Sequence, residues 1–216
     1  MSEKVDFKKS LDGYRAARGT MRIVDVPEMQ FLMVDGRGDP NSSPAYTAAL
    51  EALYPLAYAL KFLSRGELDR DYVVPPLEGL WWAEDMAAFT TSRMKSRWEW
   101  TMMLMVPGWI GREHVSRAVE QVRAKKAPER LGDVRFEAFA EGLCVQTLHL
   151  GPFDEEGPVL ERMHSEFIPA NGLRMTGRHH EVYFSDPRRT APAKLRTLLR
   201  QPVEKAGAQP PEPESR

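Results

Sequence analysis

Glu181 and Tyr183, two residues apart, are the pair of side chains in this chain best placed to do chemistry. They lie in Arg178–Pro187, RHHEVYFSDP, which reads as a strand that stops at a proline. Alternation puts His179, Glu181, Tyr183 and Ser185 on one face and His180, Val182 and Phe184 on the other. The first face is polar and titratable, and the second reads as largely apolar. A carboxylate fixed on a strand can attract a cation, hold a hydrogen-bonding ligand, or act as a general base toward water. A phenol beside it can donate a hydrogen bond to an oxygen that becomes anionic during a reaction. The competing arrangement is structural: Glu181 paired with Arg178 or another arginine, and Tyr183 a core tyrosine with its hydroxyl satisfied at the rim.

Aromatic residues supply candidate walls for such a site. Trp81 and Trp82 follow Pro75-Pro76-Leu77-Glu78-Gly79, and as neighbours on an extended chain they point opposite ways, so one of them reaches a cleft. Trp98 and Trp100 share a strand face, with Glu99 and Thr101 on the other. Flat rings stack on flat or cationic ligands, and Met102, Met103 and Met105 add an adaptable lining. Core filling accounts for the tryptophans equally well; in that case Glu99 faces the pocket as the first half's counterpart of Glu181. The candidate ligand contacts are therefore Trp81, Trp82, Trp98, Glu99, Trp100 and His179. His179 and His180 diverge on a strand, and no third ligand is suitably spaced, so no metal is expected. No CxxC, HExxH, GxGxxG or P-loop pattern occurs, and no cofactor is expected.

These residues need strands and helices to position them. Glu28–Asp35 and Arg97–Val106 read as strands, the second stopped by Pro107-Gly108. Between them, Ser43-Pro44 starts a helix that runs to about Phe62, with Tyr46, Leu50, Leu53, Ala57 and Leu60 inward and a kink at Pro55. Residues 112–126 form a charged amphipathic helix. In the second half, Val134–Phe139 and Leu143–Leu150 are strands, 156–168 is a helix closed by Asn171-Gly172, and 191–200 reads as a short terminal helix. Strand, helix, strand, strand thus occurs twice, and such a duplication leaves a cleft between its halves. The expected fold class is α+β: two tandem strand-helix-strand-strand modules with antiparallel sheets and one central cleft.

Composition narrows the function further. The chain has 216 residues, 42% hydrophobic and 28% charged, and its 30 Lys and Arg against 31 Asp and Glu leave a formal charge of -1. That balance argues against binding nucleic acid through bulk charge. No apolar run is long enough to cross a bilayer, the N-terminus has no apolar signal region, and Cys144 is the only cysteine. A cytoplasmic protein is expected, with Cys144 a buried structural thiol and no membrane or nucleic-acid partner.

Three stretches carry a resemblance: Val26–Asn41, Val134–Phe153 and Gly177–Arg189, the last containing the specific run His-Glu-x-Tyr leading into Ser-Asp-Pro-Arg. With them the chain resembles the GyrI-like small-molecule-binding domain. The resemblance frames a domain over 20–203 in two modules (20–126 and 127–203); the polar, mixed-charge residues 1–19 read as an N-terminal arm, loose or a short helix, and the Pro-rich 204–216 as a disordered tail. The resemblance also implies that Glu181 faces the pocket as its central acid. Regulators in the family carry a helix-turn-helix region before the domain; only about 20 residues precede the first strand here, so a stand-alone member is expected. Some stand-alone members resemble hydrolases that open the cyclopropane ring of DNA-alkylating natural products. On that pattern Glu181 and Tyr183 are catalytic, and the partner is a small hydrophobic or cationic aromatic ligand. The rivals are a binder that sequesters or senses drugs and an interaction protein analogous to topoisomerase inhibitors. A monomer and a homodimer fit equally.

Overall fold

A computed structural model describes residues 4–83 and 95–207. Apolar runs and alternation resolve there into β1 (Arg22–Val26), β2 (Met29–Arg37), β3 (Leu77–Trp82), β4 (Glu99–Val106), β5 (Arg135–Phe139), β6 (Gly142–Leu150), β7 (Leu173–Met175), β8 (His179–Tyr183) and β9 (Arg196–Lys205). They form one nine-stranded sheet in the order β1-β6-β9-β8-β3-β4-β2-β5, with β7 on the end of β9. Every pairing is antiparallel. The two modules are β2-helix-β3-β4 and β6-helix-β8-β9, and they meet where β3 pairs with β8 at the centre of the sheet.

The first module's helix, α2 (Pro44–Glu67), follows the short α1 (Phe7–Ser10). Proline at its first turn suits the fixed φ of a helix start, but Ser43 makes no side-chain cap. The helix continues through Pro55 and past the expected end at Phe62. Ala49, Leu53, Leu56 and Leu60 recur three or four apart, and this stripe is buried on Leu32, Val34, Trp100, Met102 and Leu104 of β2 and β4. Each fully buried leucine there resists truncation to alanine by roughly 2–5 kcal/mol. The amphipathic α3 (Arg112–Lys125) packs beside α2 through Ala118 and Val122.

The second module's helix, α4, spans residues 157–170. It is α-helical over Gly157–Glu161, π-helical over Arg162–Phe167 and α-helical again over Ile168–Ala170. It ends at Asn171, where Gly172 takes φ +66, the left-handed conformation anticipated at that position. Met163 and Ile168 pack on Val145, Leu199 and Val203. Sheet register puts Leu199 and Glu181 on one face, and likewise Leu104, Leu77 and Tyr183, so α2 and α4 cover the same side of the sheet.

Residues 191–200 are not a helix. A single 3-10 turn, Pro192–Lys194, leads into β9, which pairs with β6 and β8. Leu195, Leu198 and Leu199 have helical spacing, but a strand buried on both faces needs no alternation, and pairing on both sides outweighs local preference. The strand runs to Lys205, so Glu204 and Lys205 belong to the fold and not to a tail; residues 208–216 lie outside the described region. Of the loose arm or short helix expected at the N-terminus, the helix forms, as α1, and the segment is tied down. Val5 bridges to Tyr72, Arg18 to Leu148, and Tyr14 is buried.

Candidate functional site

The register of β3, β4 and β8 assembles the site. Trp81 lies opposite His179, Gly79 opposite Glu181 and Leu77 opposite Tyr183, and Trp100 faces Trp81 from β4. Directly paired residues project to the same side, here the side covered by the helices. Two glycines permit the packing. A side chain at Gly36 would run into the Trp100 ring, and one at Gly79 would come within 2.8 Å of Trp81 Nε1.

Glu181 is held by Tyr183, which is itself fixed by Trp81. Tyr183 Oη donates to its Oε2 at 2.7 Å, and Trp81 Nε1 donates to the Tyr183 oxygen at 2.9 Å. His179 Nε2 is 3.3 Å from Oε1 but is not aligned for a hydrogen bond. The Glu181 side chain keeps 15% of its exposure. Among the described residues no lysine or arginine pairs with it; Arg178 instead crosses to the other face and stacks on Trp82, 3.6 Å from the ring centre. Burial, then Glu181, pushes the Tyr183 phenol well above its ordinary pKa, which keeps the phenol a hydrogen-bond donor.

Aromatic rings wall this acid. Tyr46, from α2, stacks on Trp81 with ring centres 6.4 Å apart and meets Trp100 edge-on at 5.3 Å. Trp98 meets Trp81 edge-on at 5.7 Å, and Phe153 meets Tyr183 the same way at 5.7 Å. Burial and the charge of Glu181 raise the Tyr46 pKa. Glu156, in the turn before α4, lies near enough to Glu181 to feel its charge. It is 5% exposed, and its Oε1 has no hydrogen-bond partner. Burial and then Glu181 raise its pKa well above the usual carboxylate range. His164 of α4 sits 6.5 Å from His179, and burial, helped by that neighbour, lowers it to about 4.

Of the residues singled out from sequence, Glu181, Tyr183, His179, Trp81, Trp98 and Trp100 therefore gather on one side. Trp82 and Glu99 do not: they pair with each other on the opposite face, beside an open depression of about 520 Å³ that also includes Asp35, Arg37, Arg135 and Arg178. Tyr46, Phe153, Glu156 and His164 were not anticipated as site residues. Glu156 sits in Asp154-Glu155-Glu156-Gly157-Pro158, which reads as helix-start chemistry, and only the tertiary fold turns it toward Glu181.

The face of β8 that reads as apolar carries a buried ionic network instead. His180 places Nδ1 2.9 Å from Glu141 and Nε2 3.0 Å from Glu78. Arg200 donates to Glu141 at 2.6 Å, to Gln146 at 3.0 Å and to the Gly13 carbonyl at 2.5 Å, and Tyr14 donates to Glu78 at 2.5 Å. Burial alone would raise the Glu141 pKa, but His180 and Arg200 hold it at about 2. Burial opposes charge on His180, yet Glu141 and Glu78 raise its pKa. Cys144, beneath, is buried and its thiol is pushed up to about 12.

Comparison with known proteins agrees with this architecture. A conserved protein of unassigned activity from Listeria innocua is 42% identical, with a TM-score of 0.85 over 93% of this chain and 100% of its own. A hydrolase from the same organism is 41% identical, with a TM-score of 0.81 over 93% of this chain and 100% of its own. The C-terminal domain of EcmrR, 13% identical with a TM-score of 0.53 over 86% of this chain and 98% of its own, shares the fold. Curated protein sequences gave no match. The profile of the GyrI-like small molecule binding domain matches residues 19–204, and the chain belongs to that family.

Proposed function

We propose that the cleft binds small, flat, hydrophobic or cationic compounds and hydrolyses those that carry a strained cyclopropane fused to a conjugated carbonyl system. The observation that carries this reading is Glu181: partly exposed, oriented by Tyr183, without a lysine or arginine partner among the described residues, and set among Tyr46, Trp81 and Trp98. An oriented carboxylate next to a flat binding surface can take the proton of an attacking water. The electrons released by ring opening then move onto the carbonyl oxygen. The hydrolase from Listeria innocua, at 41% identity, supports an enzyme. In this reading Tyr183 orients the base. Its one proton goes to Glu181, because its oxygen already accepts from Trp81. The proposal extends to a cytoplasmic protein that uses no nucleic acid, membrane, metal or cofactor and acts as a monomer or homodimer. Among the described residues no helix is long and apolar enough to cross a membrane.

The test is incubation with a cyclopropane-bearing alkylating natural product, with the ring-opened product followed by mass spectrometry. Many product equivalents per protein are expected, falling about 100-fold or more in Glu181→Gln with circular dichroism unchanged. Stoichiometric binding of intact ligand would instead favour a second reading, a drug-sequestering or sensing protein. The specific observation behind that alternative is an uncompensated carboxylate within an aromatic wall, which suits a cation without any chemistry.

A further inference from the structure

Ring opening needs an acid as well as a base, because the carbonyl oxygen that receives the electrons must be neutralised. Tyr183 cannot fill that place while its proton is engaged with Glu181. The cleft holds another candidate. Glu156 belongs to the turn before α4, and the adjoining turn residue Phe153 lies edge-on against the Tyr183 ring. Thr197 is opposite Tyr183 in the β8–β9 register and lies on the same face of the sheet. Glu156 Oε1 and Thr197 Oγ1 are both buried without a hydrogen-bond partner. The hydroxyl of Thr197 sits close enough to Glu156 to bias its charge, yet is not aligned to bond with it. A buried polar group left unpaired costs roughly 1–3 kcal/mol, and a ligand oxygen arriving between these groups would recover it.

Resting on the hydrolase reading above, we propose that Glu156 is the neutral acid of the cleft: it hydrogen-bonds the ligand's carbonyl oxygen and delivers its proton as the ring opens. The surroundings favour the neutral form. Burial acts first and the negative Glu181 second, joined by Asp154; Lys95 and Thr197 oppose them. Lys95 is itself engaged with Asp154 at 2.7 Å, which weakens its pull. Tyr183, whose pKa is raised by burial, then Glu181 and, to a smaller degree, Glu156, stays protonated. Two neighbouring carboxyl groups in different surroundings, only one of them buried toward its neutral form, divide into acid and base.

The step balances. The water oxygen bonds to a ring carbon while one water proton passes to Glu181. The ring carbon–carbon bond breaks, and its electron pair moves through the conjugated system to the carbonyl oxygen, which takes the Glu156 proton. The product is an alcohol bearing a phenol, with Glu181 neutral and Glu156 anionic. One proton returned from Glu181 to Glu156 resets the pair.

The experiment combines kinetics with infrared difference spectroscopy on the full chain. Glu156→Gln removes no capping hydrogen bond, since Glu156 makes none, so the fold should persist; Glu156→Asp serves as the conservative control. In the wild type a neutral-carboxyl band is expected at neutral pH. It should be missing in Glu156→Gln and should shift when the cyclopropane-bearing alkylator binds. Turnover should fall about 100-fold or more in Glu156→Gln, with ligand affinity nearly unchanged, and should be partly restored in Glu156→Asp. The decline of kcat at high pH, where Glu156 loses its proton, should vanish in Glu156→Gln, which a packing role would not cause. Absence of the neutral-carboxyl band, or a Glu156→Gln protein with wild-type kcat and pH profile, overturns the proposal. Wild-type protein that binds the alkylator without turnover defeats the hydrolase reading and the proton-delivery step. The ligand-induced band shift separately decides whether Glu156 donates to the carbonyl oxygen.

Discussion

Tyr183 is bonded on both sides: its hydroxyl accepts from one neighbour and donates to another. On sequence it is a phenol available to an anionic oxygen. In the fold it is a relay, accepting from Trp81 Nε1 and donating to Glu181. Tyr183→Phe should therefore behave as a positioning variant. The ring contact with Phe153 is kept, but the Trp81 N–H is left buried and unpaired, at roughly 1–3 kcal/mol. A thermal melt should show a loss of several degrees, at about 2–4 °C per kcal/mol for a chain of this size. Turnover should fall through disorder of Glu181 while the high-pH limb of kcat stays in place, because the proton donor is elsewhere. Disappearance of that limb in Tyr183→Phe would return Tyr183 to the role of donor. Spacing of two along a strand made Glu181 and Tyr183 legible as neighbours. Glu156 was not legible, because nothing local distinguishes it from a helix-start acid.

The two faces of β8 carry different chemistry. On β8, His179, Glu181 and Tyr183 face the cleft, while His180 joins Glu78, Glu141 and Arg200 beneath it. The network sets Glu78 and Glu141 against His180 and Arg200, and removing one acid leaves the basic groups buried and short of a partner. Glu141→Gln should thus cost roughly 3–5 kcal/mol in urea unfolding. The pH dependence has a definite sign. Glu141 is held at about 2 in the fold, so its stabilisation is complete above the ordinary glutamate range and is lost as pH falls toward 2. His180 is raised, so its stabilisation is complete below the ordinary histidine range and is lost as pH rises through its folded value. The variant should lose less stability than wild type between roughly pH 5 and 2; equal slopes would mean that other carboxylates govern acid unfolding. Most elements could be read from sequence, since α2, α3, β2, β4 and β6 have clear periodicity or apolar runs. β9 could not, because its leucines carry helical spacing and only pairing with β6 and β8 makes them a strand. The ionic face of β8 was hidden too. Its partners arrive from β3, β9 and the link before β6, at separations no local pattern reports.

Seen whole, the sheet is closed by an exchange between its halves. β1 is linked to β2 through only Pro27 and Glu28, yet it pairs with β6 of the second module. β5 is linked to β6 through Ala140 and Glu141, yet it pairs with β2 of the first. Each module's outer strand is thus covered by the other's leading strand, and the seam between β3 and β8 lies at the centre of the sheet with the cleft above it and the ionic network below. The duplication evident in sequence therefore does not yield two units able to stand apart: a fragment of residues 1–126 leaves the outer edge of β2 unpaired and exposes β3, and a fragment of 127–216 exposes β8 and the free edge of β6. All five tryptophans (81, 82, 98, 100 and 109) fall in the first half, so tryptophan fluorescence reports that half alone while far-ultraviolet circular dichroism reports both. Coincident urea midpoints from the two probes are expected for the intact chain, with either fragment unfolded alone and native ellipticity returning when they are mixed. Separate midpoints, or a fragment that folds cooperatively by itself, would mean that the exchanged strands are additions to two independent modules. The cleft would then be an interface between domains rather than the middle of one.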